Sequence, residues 1–285
     1  MRIAFVGLGV MGGPMAGHLA RAGHEMVVFN RSPEKATRWV EANGGRAAAS
    51  LAEAAGGREA VALCVGNDLD VRQCLAEIMP AMPKGGVIID HTTTSAKLAR
   101  EAAAMAREAG LWFVDAPVSG GQAGAEGGTL SIMAGGNALA FDLAEPVMGA
   151  YAKAIKRIGG PGAGQLCKMC NQIAIAGLVQ GLAEAVHFAK QAEVDTDAVY
   201  EAISKGAAQS WQMDNRFKTM VEGRFDFGFA VDWMRKDLGL VLDEARTNGA
   251  RLPVAALVDQ FYAELQAMGG RRWDTSSLAA RLATR

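Results

Sequence analysis

The chain has 285 residues but only four cysteines and four histidines. Cys64, Cys74, Cys167 and Cys170 are too few, and too apolar in setting, for the disulfide framework of a secreted domain, so we expect reduced thiols. Cys167 and Cys170 form a C-x-x-C pair, but neither a second pair nor a suitably spaced histidine completes a zinc set. The sequence therefore predicts no metal site.

An excess of charge and a long apolar run are also lacking. The 29 Lys and Arg residues are interspersed with 30 Asp and Glu residues, and the formal net charge is −1. Nucleic-acid-binding domains instead cluster their basic residues. No uninterrupted apolar stretch reaches the ~18 residues of a membrane span, and the first residues predict a core strand rather than a charged leader. We therefore expect a globular cytoplasmic protein with no nucleic-acid partner and no membrane partner.

Glycine is abundant, and the first glycine cluster is the most informative part of the chain. Residues 3–6 are apolar, residues 7–12 read G-x-G-x-x-G, helical spacing follows to Arg21, and a second apolar run ends at Phe29. This pattern between a strand and a helix is typical of a dinucleotide-binding turn, although an ordinary glycine-rich turn is the alternative. The predicted cofactor contacts of the turn are Gly7, Leu8, Gly9, Val10, Met11 and Gly12.

The residues after the second strand indicate which dinucleotide is preferred. A carboxylate at this point binds the ribose 2'-hydroxyl of NAD, but the sequence places Asn30, Arg31 and Ser32 there instead. A guanidinium fork suits a 2'-phosphate and can stack on adenine. We therefore expect NADP(H) to be preferred over NAD(H). A solvated arginine that plays no part in cofactor choice is the alternative.

Short β-rich runs alternate with Ala-rich helical stretches up to about residue 160. This alternation predicts an α/β fold with an N-terminal, Rossmann-type, doubly wound and mostly parallel sheet. After the first two strands, the predicted strands are residues 60–65, 86–90, 112–115, 130–134 and 154–157. Ligands of such sheets bind beyond the carboxyl ends of the strands, so residues 65–67, 90–93 and 115–118 are expected to line the site.

The second half of the chain has a different pattern. After a glycine-rich break around Pro161, a helical stretch runs from about residue 165 to 193, and only amphipathic helices follow. We expect three parts: a dinucleotide-binding domain (residues 1–162), a long interdomain helix (163–193) and an all-helical domain for substrate binding and oligomerisation (194–285).

Alcohol–carbonyl interconversion needs a group that exchanges a proton with the oxygen, besides the hydride carrier. Lys168 is the best candidate, because on a helix it shares one face with Asn171 and Gln172. An exposed lysine on a solvated helix face is the alternative, since most such spacings are of that kind.

Four segments in this order resemble the β-hydroxyacid dehydrogenase family over nearly the whole chain. They are GLGVMGGPMA at 7–16, DAPVSGG at 115–121 with GA at 124–125 and GGTL at 127–130, GAGQ at 162–165 leading through Lys168 to Asn171, and KDL at 236–238.

The resemblance implies roles for individual residues. Lys168 would be the catalytic acid or base, and Lys236, Val65 and Thr93 would contact the cofactor. The implied substrate-binding residues are Ser119, Gly120, Gly121, Asn171, Gln172 and Phe229. Gln172 departs from the second asparagine that the family often has, so the pocket is expected to differ there.

The resemblance also implies a function. It is hydride transfer between a nicotinamide and a short β-hydroxy acid or its semialdehyde, in a homo-oligomer, either a dimer or a tetramer, built through the helical half. Two alternatives remain open at this point: an imine reductase-like enzyme, and a catalytically silent NADP-binding sensor or scaffold. An intact Lys168 argues against both.

Overall fold

The computed structural model describes residues 1–283 and contains two compact units. The first unit spans Met1–Lys168, and the second begins at Met169. The predicted boundaries at residues 162 and 193 stay predictions.

The first unit is built on one nine-stranded sheet in the order β3-β2-β1-β4-β5-β6-β8-β7, with β9 also paired to β8. Strands β1 to β6 are parallel, and β8 runs antiparallel to β6 and β7. The strands are β1 (Arg2–Val6), β2 (Glu25–Phe29), β3 (Arg46–Ala47), β4 (Ala60–Leu63), β5 (Val87–Asp90), β6 (Trp112–Asp115), β7 (Val118–Ser119), β8 (Leu130–Gly136) and β9 (Ala152–Gly159). The predicted fold class is confirmed, although the two-residue strands β3 and β7 were not predicted.

Helices cover both faces of this sheet, because alternate residues of each central strand enter different apolar clusters. Ile3 and Phe5 of β1 belong to one cluster, whereas Ala4 and Val6 belong to the other. The helices are α1 (Gly12–Arg21), α2 (Pro33–Asn43), α3 (Leu51–Ala55), α4 (Asp68–Ala81), α5 (Ala96–Glu108), α6 (Gly121–Glu126) and α7 (Ala138–Met148). The strand order reverses between β1 and β4, which is where ligands of doubly wound sheets bind.

Helix α8 (Ala163–Gln191) is the longest element and agrees closely with the predicted helix. By length and composition alone it could cross a membrane, as the core helices of many soluble proteins could. Several of its apolar side chains, among them Ala176, Val179 and Leu182, belong to the core of the second unit. Packing therefore accounts for its hydropathy.

The rest of the second unit is helical, as predicted. It contains α9 (Thr196–Ile203), α10 (Trp211–Glu222), α11 (Val231–Asn248), α12 (Pro253–Ala267), a 3-10 turn (Thr275–Ser277) and α13 (Leu278–Ala283). In residues 169–283 the β pairing is limited to a single bridge between Ala230 and Asp274. Its core includes Phe217, Met234 and Tyr262.

Candidate functional site

The turn between β1 and α1 requires glycine at two positions. Gly7 has φ +95°, and a Cβ there would lie 2.1 Å from the carbonyl oxygen of Cys64. A Cβ on Gly12 would lie 1.9 Å from the carbonyl oxygen of Gly7. Gly7 therefore permits the tight turn, and Gly12 lets α1 pack closely against it.

The space above the same turn is open. A Cβ on Gly9 would meet no atom within 4 Å, and Met11 begins α1 without a side-chain cap on the helix N–H groups. Val10 is exposed, whereas Leu8 is buried in the core. Uncapped N–H groups facing open space suit an anion, so the turn fits a pyrophosphate.

Asn30 holds this turn against the end of β2. Its Oδ1 accepts a hydrogen bond from Leu8 N at 2.9 Å, and its Nδ2 donates to the carbonyl oxygen of Ser32 at 3.2 Å. Both ends of the amide are thus engaged within the protein. Asn30 therefore shapes the turn, a role that the sequence pattern did not indicate.

Arg31 and Ser32 are available to a ligand. The Arg31 side chain is 89% exposed, and its Nη1 lies 3.5 Å from Asp70 Oδ1. Ser32 is the N-cap residue of α2, but its hydroxyl makes no capping hydrogen bond. Exposed ion pairs of this length contribute little stability, so Arg31 can move to another anion at small cost.

The loops after β4 and β5 are joined by one threonine. Thr92 Oγ1 accepts a hydrogen bond from Val65 N at 3.1 Å, and Thr92 N donates to Asp90 Oδ1 at 2.9 Å. This network fixes Val65 and the half-buried Thr93 at the carboxyl edge of the sheet. Burial of the Asp90 carboxyl raises its pKa to about 7.

Asp115, at the end of β6, caps the start of α8. Its carboxylate accepts hydrogen bonds from Gly162 N at 2.8 Å and Gln165 N at 3.0 Å, and it is fully buried. Burial raises its pKa to about 6, although the N–H donors act in the opposite direction. Asp115 was expected to line the site, but its side chain instead anchors the helix that carries Lys168.

Lys168 lies on the first turns of α8, and its side chain reaches the residue just before the predicted substrate-binding segment that starts at Ser119. It is only 8% exposed, and its Nζ donates to the carbonyl oxygen of Val118 at 2.9 Å. Ser119, Gly120 and Gly121 follow directly, and both glycines have positive φ. The structure thus brings two predicted parts of the site together within the first unit.

In the second unit, four side chains form one polar row. Asn171 Nδ2 donates to Gln172 Oε1 at 2.8 Å, and Gln172 Nε2 donates to Asp237 Oδ2 at 2.7 Å. Lys236 Nζ lies 3.2 Å from Asp237 Oδ1. Three of these residues were predicted as site residues, and the buried Asp237 connects them.

Phe229 lies in the loop between α10 and α11, and one buried carboxylate holds this loop. Asp274 Oδ2 accepts a hydrogen bond from Phe229 N at 2.9 Å, and Asp274 Oδ1 accepts from Arg216 Nε at 3.0 Å. Phe229 as a whole is 37% exposed. Its backbone is therefore anchored while the residue remains accessible.

Sequence reasoning assigned no role to the side chains of Gln165 or Asp274 and did not foresee the capping role of Asp115. An aspartate at a strand end can face solvent or a helix N-terminus, and only the path of the chain decides which. The GAGQ segment was predicted to lead into the catalytic residues, but no role was assigned to the Gln165 side chain within it.

The chain is similar to known oxidoreductases over nearly its whole length. Two family models match the chain, namely the NAD binding domain of 6-phosphogluconate dehydrogenase over residues 2–160 and the NAD-binding region of NADP-dependent 3-hydroxyisobutyrate dehydrogenase over residues 162–282. An uncharacterized oxidoreductase of Shewanella frigidimarina is 60% identical, over 99% of this chain and 98% of its own length.

Two further similar proteins are each named for a particular short acid. The 2-hydroxy-3-oxopropionate reductase of Escherichia coli is 33% identical, over 99% of this chain and 97% of its own length. The structure of Mycobacterium tuberculosis 3-hydroxyisobutyrate dehydrogenase with L-serine matches with a TM-score of 0.91 at 31% identity, covering 100% of both chains.

Proposed function

Because the chain belongs to the β-hydroxyacid dehydrogenase family, we propose that it interconverts a short β-hydroxy acid and its semialdehyde, with NADP(H) preferred over NAD(H). The observation that carries this proposal is the position of Lys168. Its buried ammonium group lies at Val118 O, directly before the Ser119-Gly120-Gly121 segment. A proton donor and a carboxylate-binding backbone are therefore side by side in one unit.

Each residue of this cluster has a chemical task. A nicotinamide cofactor, when bound, would supply or accept the hydride. Lys168 donates a proton to the carbonyl oxygen during reduction and takes it back during oxidation. The Ser119 hydroxyl and the backbone N–H groups of Gly120 and Gly121 bind the substrate carboxylate. Asn171, three residues after Lys168, lies on the same side of α8 and orients the substrate, and the next residue, Gln172, borders the substrate site by holding the Asn171 amide.

The cofactor would lie on the turn from Gly7 to Gly12. The open space at Gly9 and the uncapped start of α1 support a pyrophosphate there. Asn30, Arg31 and Ser32 would face the adenosine ribose, and the weak contact of Arg31 with Asp70 leaves its guanidinium able to bind a 2'-phosphate. Val65, Thr93 and Lys236 are the other proposed cofactor contacts, and Phe229 is proposed to border the substrate.

Two similarities support a three-carbon acid as substrate. The E. coli relative is named for 2-hydroxy-3-oxopropionate, and the M. tuberculosis structure contains L-serine. Both molecules carry a carboxylate two bonds from the carbon that bears the β-oxygen. Tartronate and methylmalonate semialdehydes share this spacing and are the first proposed substrates, whereas succinic semialdehyde, with a longer spacing, and glyoxylate, with a shorter one, are further candidates.

We further propose a homo-oligomer, a dimer or a tetramer, built through the helical half. The exposed side of α8 supports this, because the apolar side chains of Leu178 and Phe188 are accessible there, with Phe188 74% exposed. A cytoplasmic location and the division at residues 162 and 193 belong to the same proposal.

The proposal is tested by initial rates with NADPH and NADH against short semialdehydes and glyoxylate, and in reverse with 3-hydroxyisobutyrate, glycerate, serine and 4-hydroxybutyrate. We expect turnover of at least one member. Lys168→Met should lower kcat by about 10²- to 10⁴-fold while NADPH still binds. Lys153→Met, which changes an exposed lysine of β9, is the matched control and should leave kcat unchanged.

Two results would contradict this assignment. Unchanged turnover in Lys168→Met would remove the proton-exchange role. If the protein turns over none of these compounds but still binds NADPH, an imine reductase or a sensor would be favoured.

A further inference from the structure

Gln165 lies one turn before Lys168 in α8, and its side chain is completely buried. Its Nε2 donates to the carbonyl oxygen of Thr92 at 2.8 Å, and its Oε1 accepts from Thr94 N at 3.0 Å. Both partners are backbone groups of the loop after β5, so their polarity dictates the orientation of the amide. A single side chain thus bonds on both sides of Thr93.

The loop that Gln165 holds is itself part of a larger network. Thr92 Oγ1 accepts from Val65 N, and Thr92 N donates to the Asp90 carboxylate. The loops after β4 and β5 are therefore joined by a hydrogen bond. These loops carry Val65 and Thr93, and we propose that both residues contact the nicotinamide half of the cofactor.

The first turns of α8 are also held by β6 and β7. Asp115 accepts a hydrogen bond from the backbone N–H of Gln165, and the Lys168 ammonium group donates to Val118 O. Gln165 and Lys168 are three residues apart and so lie on the same side of the helix. Gln165 therefore connects the helix that bears Lys168 to the loop that carries Thr93, a proposed contact of the nicotinamide.

From this geometry we propose that Gln165 is a positioning residue that sets the distance between the Lys168 ammonium group and the loop at residues 92–94. This inference rests on the proposed role of Lys168. A hydride and a proton must reach the carbon and the oxygen of one carbonyl group, so their donors must keep a constant separation. A displacement of about 1 Å can cost on the order of 100-fold in rate.

The two hydrogen bonds require a side chain that donates at one end and accepts at the other. Methionine has a similar volume but makes neither bond. An ionised glutamate can accept from Thr94 N but only repels Thr92 O, whereas a protonated glutamate restores both bonds. Gln165→Glu should therefore behave like the wild type at low pH and lose function as the pH rises.

Several groups surround this position and will also titrate or contribute charge. They are Asp68 of α4, Asp90 at the end of β5, His91 after it, Arg100 of α5, Asp115 at the end of β6 and Lys168 of α8. These groups titrate in wild type and variant alike, so the ratio of the two kcat values reports the introduced carboxyl together with its coupling to Asp115. Burial beside Asp115 should raise the pKa of the introduced carboxyl, which places the change within the measurable pH range.

The experiment measures kcat, the KM values and the Kd for NADPH of the full-length enzyme, between pH 5 and pH 9. In Gln165→Met we expect kcat to fall by about 10- to 100-fold. The Kd for NADPH should stay within about threefold, because the glycine turn and Arg31 are untouched. In Gln165→Glu the kcat ratio to wild type should fall by about tenfold or more as the pH rises.

Gln180→Met is the matched control, because Gln180 is also a buried glutamine of α8 but lies more than three turns beyond Lys168. It should leave kcat per folded molecule unchanged. Wild-type kcat in Gln165→Met, or a kcat ratio of Gln165→Glu that does not change with pH, would overturn the inference. If Gln165→Met does not fold, the pH profile of Gln165→Glu decides alone.

Failure of this inference is distinguishable from failure of the proposed function. If Lys168→Met is inactive while Gln165→Met turns over normally, only the positioning role is wrong. If Lys168→Met is active, the proposed function fails first.

Discussion

The two units bury their carboxylates beside different partners. In the first unit, Asp90 and Asp115 are bonded by backbone N–H groups, and within residues 1–283 neither forms an ion pair. In the second unit, Asp237, Asp259 and Asp274 lie 3.0 to 3.2 Å from Lys236, Arg235 and Arg216 respectively.

The difference depends on how many backbone N–H groups each architecture leaves without a partner in its secondary structure. The loops at the carboxyl edge of a parallel sheet, and the helix starts they lead into, present N–H groups that have no intrahelical partner. A helical unit uses most of its N–H groups inside its helices, and each of the three buried carboxylates there lies beside a cation, although Asp274 also accepts from the backbone N–H groups of Phe229 and Ser276. Secondary structure therefore affects which partners are available to a buried carboxylate.

The choice of partner has a consequence for pH. Burial without a cation raises the pKa of Asp90 to about 7 and that of Asp115 to about 6. Both pKa values lie above the unfolded value near 4, so these two carboxyls stay protonated to a higher pH in the folded protein than in the unfolded chain. Their contribution therefore lowers stability as the pH rises from about 4 to about 7.

The largest stability effect should come from the second unit. Asp274→Asn removes the charge beside Arg216, whose side chain is only 15% exposed. We expect a loss of about 3 to 5 kcal/mol in the free energy of unfolding, because a cation is left buried without its partner. Urea unfolding measures this loss.

Asp243→Asn is the control, since its ion pair with Arg246 is largely exposed. It should change stability by less than about 0.5 kcal/mol. Equal effects of the two variants would mean that the second unit does not depend on its buried ion pairs.

The next largest effect should be the pH dependence of stability that the buried Asp115 gives the first unit. Wild-type stability minus that of Asp115→Asn should decrease between pH 4 and pH 7.5, because only the wild type carries this titrating carboxyl. A shift of about two pKa units corresponds to about 3 kcal/mol at most. Urea unfolding at a series of pH values checks it, with the exposed Asp142→Asn as control. A constant difference would show that Asp115 is not buried as described.

The smallest effect concerns the exposed pair of Arg31 and Asp70, which belongs to neither pattern. Arg31→Ala should lower the ratio of kcat/KM for NADPH to that for NADH by about tenfold, since one phosphate contact is lost. Asp70→Asn should preserve NADPH preference and stability, because an exposed pair contributes little. An unchanged cofactor ratio in Arg31→Ala would show that Arg31 does not read the 2'-phosphate.

Local chemistry was sufficient to predict much of the molecule. The glycine turn, the alternation of strands and helices, and the long helix after Pro161 depend on neighbouring residues, so the α/β and all-α halves could be predicted. Lys168 could be named because its helical spacing and the surrounding segments are both local. The strands β3 and β7 could not, because two residues carry no periodicity.

The tertiary structure alone decided how the candidate site is supported. Asp115 and Gln165 are 50 residues apart, and their contact exists only because β6 ends where α8 begins. Gln172 and Asp237 are likewise 65 residues apart in the chain. Residue type and spacing determine which groups can donate or accept a bond, whereas the partner of a buried polar group depends on which distant segment the fold places within hydrogen-bonding distance.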